Sequence, residues 1–449
     1  MTALVGRAGG SARPLDRAAE FVATYGAAAY IVCLPLEFTS VWLNQQLSRF
    51  VLVLVALAFA YLVVWRQRTI TVPRSPSVWL LVLYMVASLA SWLTSRAAGS
   101  FSSVADIALY PLVALLLANL VITSADHRRA WIAFLISSLA VALLGAVLYV
   151  THQSIWAPNP LVAERVNITF GDPNITARFL TLGACAAVLM FAKREGPTWL
   201  STGTAVACAA ILPLTFSRSG LFLFVATVLL AVVVAFNRRR AAAIGVVALL
   251  VFAVSTAGNP TTRLRAEGAV TSVVTMVTGR PAGDGPPKTG AGQYAADDNR
   301  RYLVAAGLKM FADHPAVGVG FGGYQHALVT SYRYFLPSDR SGPNLDSLSH
   351  ASLVTVMAEQ GLVGGLLVVV FLIQLGREAW RARRRADEMS LWTTIPATLV
   401  VPIFVYSQIE GRFFSEPYLW LALGLIYSAH QAAMGEKGAR VEKELARVA

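Results

Sequence analysis

Residues 350–365 read HASLVTVMAEQGLVGG and mark the point where a long polar stretch, 258–350, gives way to an apolar one. A titratable imidazole, His350, thus stands where a helix enters a bilayer. The same pattern fills the rest of the chain. Of its 449 residues, 56% are hydrophobic and 14% charged, and the mean hydropathy is +0.60. The apolar residues come in runs of about 20, the length that crosses a bilayer as a helix. This rules out a water-soluble globular domain. It predicts an all-α polytopic membrane protein with about twelve transmembrane helices. The expected helix cores are 21–42, 48–65, 78–94, 102–123, 131–150, 174–192, 199–216, 219–236, 241–257, 352–376, 391–410 and 415–433.

Charge orients these spans, because short cytoplasmic loops hold an excess of Lys and Arg. With the N-terminus inside, one set of connections carries Arg66, Arg68, Arg74, Arg128, Arg129, Lys193, Arg194, Arg238 to Arg240, Arg377, Arg381 and Arg383 to Arg385. The two ends add Arg7, Arg13, Arg17, Lys437, Arg440, Lys443 and Arg447 to the same side. Outside the long loop, the opposite side holds only Arg49, Arg96, Arg165, Arg178, Arg218 and Arg412. Both termini are therefore expected to be cytoplasmic and the His350 loop external. This placement also explains most of the net charge of +13 without nucleic acid. The expected organisation is a membrane domain over 1–257 (spans 1–9) and an external loop over 258–350. A second membrane part covers 351–435 (spans 10–12), followed by a cytoplasmic tail over 436–449. The N-terminal arm lacks the pattern of a removable signal peptide, so the first helix is expected to stay as an anchor. Cys33, Cys185 and Cys208 fall inside spans and read as small buried apolar residues.

Two external connections are not short: 151–173, rich in Pro, Asn and aromatics, and the long loop, which is too long for a passive link. The loop holds a Gly/Pro-rich stretch at 279–293, expected to be flexible. An amphipathic helix follows at about 296–313, with Leu303, Ala306, Met310 and Phe311 at helical spacing. Asp313-His314-Pro315 ends it. Gly318, Gly320 and Gly323 spell G-x-G-x-x-G, but a dinucleotide fingerprint needs a strand before it and a helix after it. Here a helix precedes, so the glycines are expected to form a tight turn that folds the loop onto the membrane domain. Asp172, Asp297, Asp298, Asp346, Glu410 and Glu416 form no cluster at ligand spacing, and no metal site is expected.

If one helix runs through 350–365, Val354, Met357, Gly361 and Gly364 share the face below His350, which is then small enough for close approach. Glu359 falls on the opposite face and is expected to pair with a neighbouring helix. Arg218, Arg178 and the pair Arg300 and Arg301 stand out because the positive-inside rule does not account for them. Guanidinium matches phosphate oxygens by bidentate hydrogen bonds. Arginines near a histidine on the outer side suit a lipid-linked diphosphate; simple snorkelling to headgroups is the plainer alternative.

Four segments in order resemble the O-antigen ligase/polymerase superfamily of bacterial envelope enzymes. They are His350 with Gly361 and Gly364, like H-[NSQ]-x9-G-x2-[GTY]; Thr215-Phe-Ser-Arg218-Ser-Gly220, like T-x-S-R-x-G; Asp172-Pro-Asn174 opening a span; and Arg301 through Pro315-Ala-Val-Gly-Val-Gly320, like R…HPxxGxG. Ala351 departs from the usual Asn, Ser or Gln after the histidine, so that Ser352 or a water would have to substitute. The resemblance implies a GT-C-like membrane glycosyltransferase of the bacterial inner membrane, its active site periplasmic. It implies an undecaprenyl-diphosphate-linked glycan as donor, a sugar hydroxyl of lipid A–core as acceptor, contact with membrane lipids, and no cofactor. In that reading His350 acts on the acceptor hydroxyl, and Arg218, Arg301, Arg300 and Arg178 hold the diphosphate. Asp172, Asn174, Gly361 and Gly364 support them. A polymerase or a protein O-oligosaccharyltransferase would differ only in acceptor. A lipid-linked-glycan transporter is the reading from another class; it fits less well, because the candidate residues gather at one face and no repeat is evident.

Overall fold

The structure is a computed structural model. It describes residues 14–40, 44–94, 101–155, 165–268, 291–335, 348–385, 387–411 and 413–448. Among the described residues there are helices and no strand. We number the helices α1 (Pro14–Cys33), α2 (Leu47–Arg66), α3 (Pro76–Thr94), α4 (Phe101–Leu120), α5 (Ser124–Thr151), α6 (Pro173–Lys193) and α7 (Thr198–Ile211). Then come α8 (Arg218–Val234), α9 (Arg238–Gly258), α10 (Ala291–Asp313), α11 (Tyr324–Thr330), α12 (Ser352–Arg385), α13 (Glu388–Glu410) and α14 (Pro417–Val448). An apolar chain in lipid has no water to satisfy its backbone, and helices satisfy it internally.

Among the described residues, nine helices are long and apolar enough to cross a membrane: α2 to α6, α7 taken with the 3₁₀ turn that extends it to Thr215, α9, α12 and α13. Of the other three expected spans, 219–236 and 415–433 are helical, whereas in 21–42 the helix α1 ends at Cys33. At 17 residues, α8 is apolar but short. Asp16, Arg17 and Glu20 lie in the opening turns of α1. The last helix, α14, continues to Val448, so most of the expected tail is helix.

The bundle is organised around α6, whose apolar window is 89% buried, against 22% for α2, α3 and α9. Small residues allow the close fit. Ala184, Ala186 and Ala187 are buried, and Gly183 packs on Ser138 of α5 and Cys208 of α7. Around α6 stand α5, α7, α8, α9 and α13, while α14 packs between α13 and α4. On α2, α3 and α9 large apolar side chains such as Leu57, Trp79 and Leu250 face outward. Cys185 and Cys208 are buried as expected, Cys33 only partly; all three are free.

The amphipathic loop helix forms as α10 and ends at Asp313. Leu303, Ala306 and Met310 are buried in a small core with Tyr324, Leu328 and Ala358, whereas Phe311 is only half-buried. Most of the Gly/Pro-rich stretch 279–293 lies outside the described residues; its last three belong to α10.

One expectation fails here. No single helix runs through 350–365. His350 lies before α12, and Gly361 interrupts α12 with φ 62° and ψ −153°. The phase that put Gly361 and Gly364 beneath His350 is therefore lost. The glycine turn after α10 fills the interruption. Val319 and Gly320 N–H donate to Ala358 and Glu359 carbonyls, both at 2.9 Å, and Leu362 N–H donates to the Pro315 carbonyl at 2.8 Å. Across this joint Gly318 faces the backbone of Ala358 to Gln360 and Gly361 that of Ala316 and Val317, both with positive φ.

A Cβ on Gly318 would come closer than 3.0 Å to Glu359 and Gln360 backbone atoms. Gly318→Ala should therefore cost about 2–4 kcal/mol, read as earlier thermal unfolding of the solubilised protein. Gly376→Ala, a helical site with nothing within 4 Å, should be neutral or gain up to about 1 kcal/mol.

Candidate active site

The arginine turn forms where the path from α7 into α8 leaves the helical conformation. A 3₁₀ turn, Leu212–Thr215, follows α7. Phe216 then takes a left-handed φ of 52°, rare for a bulky residue. Ser217 caps α8 by accepting Gly220 N–H at 3.1 Å, which makes Arg218 the first helical residue, half-buried. Asp172 caps α6 in the same way, accepting Asn174 N–H at 2.7 Å. The two starts touch: a Cβ on Gly220 would lie 2.7 Å from Ala177 Cβ. Asn174 Oδ1 accepts from Arg165 Nη2 at 3.1 Å, and Arg165 Nε donates to the Thr215 carbonyl at 2.8 Å. The Asp-Pro-Asn and Thr-Phe-Ser-Arg-Ser-Gly segments thus form one unit.

His350 lies on a second irregular turn. Its φ is 58°. Buried Ser349 accepts Ala351 N–H at 3.1 Å, and its hydroxyl is 2.7 Å from that of Thr355. On the other side is Gly411, the left-handed cap of α13; a Cβ there would lie 3.2 Å from His350 Cα. Gln408 accepts Leu353 N–H at 3.1 Å and donates to Ser352 Oγ at 2.7 Å. Ser352 Oγ is also 2.8 Å from Ser407 Oγ. Ser352, the residue expected to stand in for Ala351, is buried against α13. Both positive-φ residues sit at suspected functional positions, where backbone strain tends to collect.

Glu359 pairs with a neighbouring helix as expected, but its partner is the backbone at the start of α11 rather than a side chain. Because α12 breaks two residues later, its buried carboxylate faces the glycine turn. Glu359 Oε1 accepts Tyr324 N–H at 3.2 Å, and the Gly322 N–H also donates to this carboxylate. Gln360 is held by Tyr84 OH at 3.1 Å and Ser88 Oγ at 3.2 Å. Tyr324 OH donates to the Leu303 carbonyl at 2.5 Å, tying α11 to α10. At the end of α10, Lys309 and Tyr332 hold the Asp313 carboxyl below its ordinary value. Burial and the same carboxylate push the Tyr332 hydroxyl up to about 12.

Two turns of α6 link the arginine turn to the His350 turn. Thr181 Oγ1 is 3.3 Å from Tyr406 OH, near the C-terminal end of α13. Arg178 Nη2 meets Glu416 Oε2 at 2.6 Å, just before α14, with side chains 5% and 3% exposed. Arg178, expected to hold the diphosphate, takes part in a buried ion pair that fastens α14 to α6. Arg301 is exposed on α10, on the side away from Leu303 and Met310; the Arg300 side chain lies outside the described ones. Gly364 packs on the Gln360 side chain. Among the described residues, no group of three or more His, Cys, Asp or Glu could hold a metal ion.

Two residues were not singled out by sequence reasoning. Arg165 read only as an outside charge and Arg265 only as loop sequence, yet both contact the turn before Arg218. No spacing motif marks either one.

Arg178→Ala removes the guanidinium facing the buried Glu416 carboxylate and should cost about 3–5 kcal/mol. The expected readout is a loss of monodisperse protein on gel filtration and a lower unfolding temperature. The double substitution Arg178→Leu with Glu416→Leu should recover much of both.

No curated protein matches the chain. Residues 203–369 match the family model described as O-Antigen ligase. That segment runs from within α7 into α12 and includes Arg218, Arg301, the glycine turn, His350, Gly361 and Gly364; Asp172, Asn174 and Arg178 precede it. The family's members are membrane ligases and polymerases that transfer glycosyl groups. Over residues 203–369, which hold both the arginine turn and the His350 turn, this chain is similar to the O-antigen ligase family.

Proposed function

We propose that the protein is an O-antigen ligase of the bacterial inner membrane. It transfers a glycan from undecaprenyl diphosphate to a sugar hydroxyl of lipid A–core at the periplasmic face. The observation that supports this reading is the contact path through the first turns of α6: the arginine turn touches Ala177, and Thr181 touches α13 shortly before the Gly411 cap that abuts His350. Twelve spans with both termini cytoplasmic put that end of α6 outside, where lipid-linked glycans are presented.

The acceptor hydroxyl oxygen attacks the anomeric carbon while the bond to the diphosphate oxygen breaks. In-line attack inverts the anomeric centre. His350 orients the hydroxyl and takes its proton. Arg218 and Arg301 neutralise the charge that grows on the departing diphosphate, a contribution largest in a site that excludes water. Arg300 adds charge at the rim of α10. Arg178 acts through position, by holding α14 and α6 together. Because guanidinium groups supply the neutralisation, the transfer proceeds without a metal ion or nucleotide.

A polymerase, which joins lipid-linked repeats to one another, is the second reading. The departure at Ala351 favours it, since the ligase pattern carries a polar side chain after the histidine.

The test is transfer by purified protein given undecaprenyl-diphosphate-linked glycan and rough lipid A–core, with EDTA and no nucleotide. Wild type should glycosylate the acceptor. His350→Ala and Arg218→Ala should each lose about 10²–10³-fold or more while unfolding at the wild-type temperature. Longer lipid-linked chains with an unmodified acceptor would establish the polymerase. Equal activity in all three proteins would overturn the proposed site.

A further inference from the structure

The carbonyls of residues 212–216 have left the helical ladder, and in an apolar surrounding each needs a donor. Leu212 O accepts from Thr215 Oγ1 at 2.8 Å. Pro213 O accepts from Phe216 N–H at 3.0 Å and Thr262 Oγ1 at 3.2 Å. Leu214 O accepts from Val166 N–H at 3.1 Å. These donors are neutral. The donors change at the last two carbonyls before Ser217 and Arg218. Thr215 O accepts from Arg165 Nε at 2.8 Å, and Phe216 O from Arg265 Nη1 at 3.2 Å. The Arg265 guanidinium also lies 5.7 Å from the centre of the Phe216 ring. Arg165 comes from the segment before α6 and Arg265 from the helical stretch 260–268 after α9, so two separate parts of the chain converge on one strained residue.

We infer that Arg165 and Arg265 are positioning residues that hold Phe216 in its left-handed conformation and so aim Arg218. This rests on the reading of Arg218 as the diphosphate-binding group. Satisfying two carbonyls would take any donor; the arrangement seen uses the arginine fork. Arg165 spans Thr215 O and Asn174 Oδ1 with two nitrogens of one rigid plane, which locks the arginine turn to the first turn of α6. Lysine's three donors radiate from one nitrogen on a flexible stem, so it lacks the fixed plane that locks both acceptors here. Two more positive charges beside the turn also favour an anionic ligand there. With the Phe216 and Thr215 carbonyls covered by guanidinium, a diphosphate meets less carbonyl dipole next to Arg218.

The test uses the full chain in nanodiscs as wild type, Arg165→Ala, Arg165→Lys, Arg265→Ala, Arg218→Ala and the double variant Arg165→Ala with Arg218→Ala. Hydrogen exchange of the peptide covering 213–220 reads the turn directly. Arg165→Ala and Arg265→Ala should speed exchange there and leave the middle of α6 unchanged. In the transfer assay each should lower kcat about 10–100-fold, the scale of a misplaced catalytic group, and Arg165→Lys should not restore it. The double variant should be no slower than Arg218→Ala alone, because the effect runs through Arg218. Unchanged exchange at 213–220, or a double variant whose loss is the product of the single losses, would overturn the inference. If Arg165→Ala fails to fold, Arg165→Lys and Arg265→Ala carry the same two readouts. Absence of transfer by wild type would sink the ligase reading alone, and the exchange arm would still decide whether these arginines hold the turn.

Discussion

A backbone that leaves the helix inside an apolar bundle must find every donor and acceptor within the protein. The candidate site consists of three such departures, at 212–217, at 349–351 and at Gly361, and each is satisfied differently. Guanidinium groups and a borrowed N–H serve the first. Ser349 and Gln408 side chains serve the second. The backbone of the glycine turn serves the third. Each departure sets the direction of one side chain: Arg218 at a helix start, His350 in a left-handed turn, Glu359 turned toward the loop. An unbroken bundle would present these groups to neighbouring helices or to lipid.

The deep burial of α6 gives these departures a common reference. Its first two turns touch the arginine turn through Ala177, α14 through Arg178 and α13 through Thr181. A helix packed on all sides moves little, and elements hung on its end keep their spacing. The ion pair to Glu416 belongs to this frame. Its worth is less in net energy, since burying two charges is costly, than in fixing which face of α14 meets α6.

The helices were legible in the sequence because apolar runs in lipid have few alternatives. The arginine turn was legible too: Ser217 and Gly220 stand where a cap and a close approach are needed. What failed was any inference that carried helical phase through residue 361. Leucine and valine on both sides hide the break, and only the contact with Pro315 to Gly320 makes it favourable. Arg165, Arg265 and the partner of Arg178 were invisible for a related reason. Each acts on a segment far away in the chain, and a single sequence records no such pairing. Arg178 was read as phosphate-binding because the positive-inside rule does not explain an arginine on the outer side; its ion pair with Glu416 adds a fastening role that the sequence does not record.

The joint between the glycine turn and α12 has a consequence for how such a protein can diversify. Its hydrogen bonds run between main-chain atoms at 315, 319 and 320 on one side and 358, 359 and 362 on the other. Outward side chains of the loop, among them Tyr302, Leu308 and His314, take no part in that attachment. The loop is in effect an interchangeable face on a fixed mount. Its exposed chemistry can be rewritten for a different sugar or acceptor while the seat beneath it keeps its shape.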